Sequence, residues 1–87
     1  MFEVILKRKI LKSIENMPEY IQKKMGNLLE DLRTRGSIQP GWQNFSKLDK
    51  NRYHCHLSKK WVACWLCEKD SNIIEVYYAG SCENAPY

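Results

Sequence analysis

No stretch of this chain approaches the roughly 18 consecutive apolar residues that a membrane-crossing helix needs. Its opening, Met1-Phe2-Glu3-Val4-Ile5-Leu6-Lys7-Arg8, lacks the charge-then-apolar order of a signal peptide. Together these absences point to the cytoplasm. Internal repeats and low-complexity tracts are missing as well, so neither a solenoid nor a biased linker is expected. The 87 residues leave no room for a second domain, and residues 1–87 are read as one unit. A chain of this size buries only about 60% of its unfolded surface, which demands a small, aromatic-rich core. Acidic residues are in the minority: fourteen Lys+Arg face ten Asp+Glu, and the net charge of +4 favours anionic partners. In the cytoplasm the cysteines Cys55, Cys64, Cys67 and Cys82 are expected to be reduced thiols, mostly buried as small hydrophobes, and not a disulfide framework.

Along the chain, Phe2-Glu3-Val4-Ile5-Leu6 is rich in β-formers and predicts a short first strand. From Arg8 to Met17, Ile10, Leu11, Ile14 and Met17 make the stripe of a short amphipathic helix, which Pro18 ends. The proline also suits the first turn of a second helix, where its missing N–H costs nothing. Ile21, Met25, Leu28, Leu29 and Leu32 continue that helix on one face to Gly36, with Arg33 and Arg35 near its negative end. Residues 37–51 form a polar connector, pinned to the core by Trp42 and Phe45. Three strand-like runs follow, Arg52 to Leu57, Trp61 to Glu68 and Ile73 to Ala79, separated by turns short enough for an antiparallel meander.

Strand alternation then sorts the side chains. Tyr53, Cys55 and Leu57 share one face with Trp61, Ala63 and Trp65, and bury against the helices, while His54 and His56 share the other with Lys60, Val62 and Cys64. The last strand stays open, because Ile74, Val76 and Tyr78 oppose Glu75 and Tyr77 and both sets contain apolar residues. The tail from Gly80 to Tyr87 leaves that strand, and its terminal tyrosine is placed to fold back over the histidine face. Five cations between positions 47 and 60, Lys47, Lys50, Arg52, Lys59 and Lys60, are offset only by Asp49 and make a patch suited to phosphate. His54-x-His56 with Cys64-x-x-Cys67 supplies four acceptable zinc ligands, but Cys64 and Cys67 point to opposite faces of one strand unless a bulge intervenes. No metal and no cofactor are therefore expected, and a catalytic cysteine has no support beyond Cys64 lying near two histidines.

The order strand, two helices, meander, with Lys47-Leu48, Tyr53-His54-Cys55-His56-Leu57, Trp61-Val62-Ala63-Cys64-Trp65 and Tyr77-Tyr78-Ala79-Gly80-Ser81, resembles the RelE/HigB-like toxins of bacterial toxin–antitoxin systems over nearly the whole chain. The resemblance implies an α+β, RelE-like fold, β-α-α-β-β-β, with a helical hairpin packed on one face of an antiparallel sheet. It implies an mRNA endonuclease that depends on the ribosome and is neutralised by a cognate antitoxin. Carried over by position, the family's paired basic residues fall on His54 and His56, the arginine opening the next strand on Lys60, and the C-terminal tyrosine on Tyr87. Lys47, Lys50, Arg52 and Lys59 are the RNA-binding candidates. The arginine after the last strand falls on Cys82, a departure, because a thiol cannot supply a permanent charge or bidentate phosphate contacts. That gap leaves a second reading: a weakened or inactive relative acting on another target, as the gyrase-directed ParE-like branch does.

Overall fold

The computed structural model describes all residues, 1–87. The elements are β1 (Glu3–Ile5), α1 (Arg8–Glu15), α2 (Glu19–Arg35), β2 (Ser46–Lys47), β3 (Arg52–His56), β4 (Trp61–Leu66) and β5 (Ile73–Ser81), then a 3-10 turn at Cys82–Asn84. No helix is long and apolar enough to cross a membrane. The helical hairpin turns where expected. The Pro18 carbonyl accepts the first bonds of α2 from Ile21 and Gln22, and the Gln22 amide donates back to the Glu15 and Met17 carbonyls at 3.1 and 2.9 Å. Along α2 the residues Ile21, Met25, Leu28 and Leu32 are fully buried, one per turn on a single face.

The sheet has the order β1-β5-β4-β3-β2. The β3–β4–β5 meander is antiparallel as expected, but β1 runs parallel to β5, so the sheet is mixed and not wholly antiparallel. The physical reason is that no tight turn joins β1 to β5: the two helices and the rest of the sheet lie between them in the chain, so the two-residue hairpin connection that forces antiparallel pairing is absent. The connector also contains an element missing from the sequence reading, the two-residue β2, which pairs Ser46 with His54 and Lys47 with Tyr53.

Trp65 is the centre of the helix-side core, with no exposed surface, and it forms a mutual stack with Phe45 and Tyr53 at centroid distances of 6.1 to 6.3 Å. Its indole N–H donates to the Ser37 carbonyl at 3.2 Å, and Trp42 donates to Asp31 at 2.9 Å. These bonds satisfy the polar ends of the two rings while their bodies stay apolar.

The last strand resolves through a β-bulge. Cys64 pairs with Tyr78, but Trp65 pairs with Val76, so Tyr77 is an extra residue with no partner. The insertion resets the alternation: Ile74, Val76 and Ala79 all belong to the helix-side core, and Tyr77 and Tyr78 do not. Two adjacent tyrosines therefore leave the core together, which strict parity forbids.

Two glycines give opposite expectations. Gly36 caps α2 at φ 91° and ψ −164°, and an added Cβ would sit 2.7 Å from the Phe2 ring. Gly36→Ala should cost about 1–3 kcal/mol. Gly26 is exposed within α2 with nothing within 4 Å of a new Cβ, and Gly26→Ala should add about 0.4–1 kcal/mol. Urea midpoints of both variants at unchanged slope check the pair.

Candidate active site

The face of the sheet away from the helices is not an open, ionisable surface. Val62 and Cys64 are fully buried there, outside the helix-side core, and His54 is only 8% exposed. The cover comes from the end of the chain. Tyr78 lies along the face over Gly80, where an added Cβ would be 2.9 Å from the phenol oxygen, and its hydroxyl donates to the Ser81 carbonyl at 2.6 Å. Beyond it the Cys82 N–H donates to the Lys60 carbonyl at 2.7 Å, the 3-10 turn reverses the chain, and the Tyr87 ring settles 4.4 Å from that of His54.

The candidate residues divide into groups. His54, His56 and Tyr87 meet: the two imidazoles stand edge to face at 5.7 Å, with Tyr87 over the first. Lys59, Lys60 and Cys82 line one cleft of about 340 Å³ together with Trp61, Ser81 and Glu83. The remaining cations lie elsewhere. Lys47 and Lys50 line a separate cleft of about 720 Å³ beside Arg35 and Lys69, at the end of the meander formed by the β2–β3 and β4–β5 turns. Arg52 is engaged by Asp49, with two nitrogens 2.6 and 2.7 Å from one carboxylate oxygen. The single basic patch read from the sequence is thus two cationic areas and one ion pair.

Electrostatics separates the two histidines. Burial disfavours the charged form of His54 and lowers its pKa below the ordinary 6.5, nearby His56 lowers it further, and the Ser46 backbone carbonyl acts in the opposite direction. His56 is only partly buried and stands at the rim, lining a cleft of about 640 Å³ with Lys24, Glu30, Trp42 and Gln43. Burial, followed by the Cys82 side chain, pushes the Tyr87 phenol up to about 12, so it stays protonated at neutral pH. Burial also pushes Cys64 up to about 11 and Cys55 up to about 12, which makes both poor nucleophiles. Cys67 packs against the helix-side core, away from Cys64, as alternation requires.

Sequence reasoning missed Ser46, whose hydroxyl lies 2.9 Å from His54 Nδ1. It also left unplaced Tyr77, the extra residue of the β5 bulge. The adjacency Tyr77-Tyr78 in an otherwise alternating strand was an available sign of a bulge. Nothing local marks Ser46, because its partner is set by strand pairing across a loop.

No protein-family model matches the sequence, and no curated protein matches it. Solved structures match in fold. RelE–RelB from the archaeon Pyrococcus horikoshii superposes with a TM-score of 0.80 over 97% of this chain and 98% of the other, at 11% identity. The isolated E. coli RelE toxin gives 0.74 over 99% and 89%, at 13% identity. The YoeB–YefM toxin–antitoxin heterotetramer from Staphylococcus aureus gives 0.70 over 92% and 95%, also at 13% identity. The chain has the RelE-like fold.

His54 generates a pH prediction. Its folded pKa lies below the unfolded value near 6.5, so the unfolded chain takes up the proton first. Stability present above that value is lost as pH falls through it towards the folded pKa. Between about pH 7.5 and about pH 5.5 the wild-type Tm should fall by more than that of His54→Gln, which has no proton to gain. Equal falls in thermal melts of the two proteins would refute this assignment.

Proposed function

We propose that this chain is a RelE-like toxin of a toxin–antitoxin pair and that it cuts mRNA on the ribosome. The observation that supports this most is the meeting of His54, His56 and Tyr87 on one face, next to the cleft of Lys59, Lys60 and Cys82. RNA carries its own nucleophile. In this reading a histidine takes the 2′-hydroxyl proton, the oxygen attacks phosphorus, and the bond to the 5′-oxygen breaks as that oxygen gains a proton, leaving a 2′,3′-cyclic phosphate. Lys60 stabilises the charge that builds on the phosphoryl oxygens. Tyr87, held protonated, orients the phosphate or gives its proton to the leaving oxygen. In this reading the ribosome would supply both substrate and placement. A cognate antitoxin, binding along the helices or over the basic surface, would hold the activity in check.

A second reading is favoured by one observation. Cys82 pairs through its backbone with Lys60, at the position where the resemblance leads one to expect arginine, and no guanidinium takes its place in the cleft. A weakened enzyme, or a binding module directed at another target such as DNA gyrase, would tolerate that loss.

Primer-extension mapping of mRNA in a translating extract separates these readings. Wild type should give discrete cleavage sites, His54→Ala should remove them, and Cys82→Arg should strengthen them by on the order of 10²-fold, the effect of one well-placed donor. Intact mRNA with all three proteins, combined with inhibited supercoiling by gyrase, would establish the second reading instead.

A further inference from the structure

We propose that Tyr78 is a positioning residue: its hydroxyl fixes the direction in which the C-terminal tail leaves β5, and through that tail it sets Tyr87 on His54. The bearing of this placement on cleavage rests on the nuclease reading; the placement itself does not.

The bulge at Tyr77 turns Tyr78 out of the helix-side core, where it pairs with the buried Cys64. From there its side chain runs towards the end of the strand. The ring occupies space that Gly80 leaves free, since a Cβ on Gly80 would lie 2.9 Å from the phenol oxygen and 3.1 Å from Cζ. Alternation puts residues 78 and 80 on one face, so any side chain at position 80 would take this seat. The hydroxyl then donates to the Ser81 carbonyl at 2.6 Å. Ser81 is the last residue of β5 and the N-cap of the 3-10 turn Cys82–Asn84.

Register explains why that carbonyl is available. The Cys82 N–H bonds the Lys60 carbonyl, so the backbone groups of the preceding residue, Ser81, point away from β4. On that side β1 pairs with β5 only as far as Glu75, and no strand reaches Ser81. The Tyr78 hydroxyl supplies the partner in place of a strand. Past this point the tail is held lightly. The Cys82 N–H bonds Lys60 at 2.7 Å, the Ala85 N–H bonds Cys82 within the turn, and Tyr87 rests on His54 by ring contact with half of its own surface exposed. A chain held in this way takes its direction from where it starts, and a rotation of the Ser81 backbone swings everything from Cys82 to Tyr87. Tyr78 touches no reacting group and acts through Tyr87.

Hydrogen exchange of the full chain in Tyr78→Phe, which keeps the ring and removes the hydroxyl, tests this. The Cys82 N–H reports opening of the tail. Its exchange should rise roughly tenfold, the worth of one hydrogen bond. Carbethoxylation of His54 by diethyl pyrocarbonate, read by mass spectrometry, should speed up by a similar factor, because the reagent reaches the ring when Tyr87 leaves it. Gly80→Ala, which displaces the phenol and keeps its hydroxyl, should reproduce both changes and carries the test if Tyr78→Phe does not fold. Ile21→Val, a loss of comparable size buried in the helix-side core, should leave both rates at the wild-type value. Wild-type rates in the folded variants overturn the proposal, and so does faster Cys82 exchange without faster reaction of His54. Equal rises in Ile21→Val overturn it too, because the opening would then be that of the whole domain. The expected rates in a protein that cuts no mRNA uphold the positioning and remove the nuclease reading instead.

Discussion

One unpaired residue governs this structure. Tyr77 is the bulge in β5, and the register on either side of it differs by one. On the far side, Val76 faces Trp65 and closes the helix-side core; on the near side, Tyr78 faces Cys64 and covers the other surface. Without the insertion, Tyr77 would oppose Trp65 in the core, and Ile74 and Val76 would be turned to the histidine face. A one-residue slip exchanges every side chain between faces. The bulge is what lets one strand serve two buried surfaces of different character.

A sheet covered on both sides changes the chemistry of what it carries. His54 would titrate as an ordinary imidazole on an open strand, yet under Tyr87 and against buried Cys64 and Val62 it resists protonation. The same burial silences the thiols of Cys55 and Cys64. The cations stay at the margins, where solvent compensates their charge. Lys59 and Lys60 sit on the β3–β4 turn, and Lys47 and Lys50 lie around the β2–β3 turn. The charged side chains therefore lie at the edges of the sheet, and the cluster of His54, His56 and Tyr87 lies inside them.

The C-terminal tail ties the two regions together with few bonds. Cys82 continues the strand by one backbone bond to Lys60, the 3-10 turn adds the Ala85-to-Cys82 bond, and Tyr87 then rests on His54 by ring contact. The same tail brings Cys82 into the cationic cleft. An arginine at position 82 would add a permanent charge to the cleft beside Lys59 and Lys60.

What the sequence determined by itself was whatever depends on short-range periodicity. The helical stripe from Ile21 to Leu32, the stop at Gly36, and the alternation that buries Tyr53, Cys55, Ala63 and Trp65 while turning His54 away are legible because period and turn chemistry are local. Even the return of Tyr87 towards the histidines was readable, since an antiparallel last strand delivers its tail to that end of the sheet. Four features were decided only in three dimensions: the parallel pairing of β1 with β5, the Tyr77 bulge, the pairing of Ser46 with His54, and the division of one basic stretch into two clefts and an ion pair. Each depends on which strand lies beside which and in what register. Register is chosen by the whole core packing around Trp65, not by any window of residues.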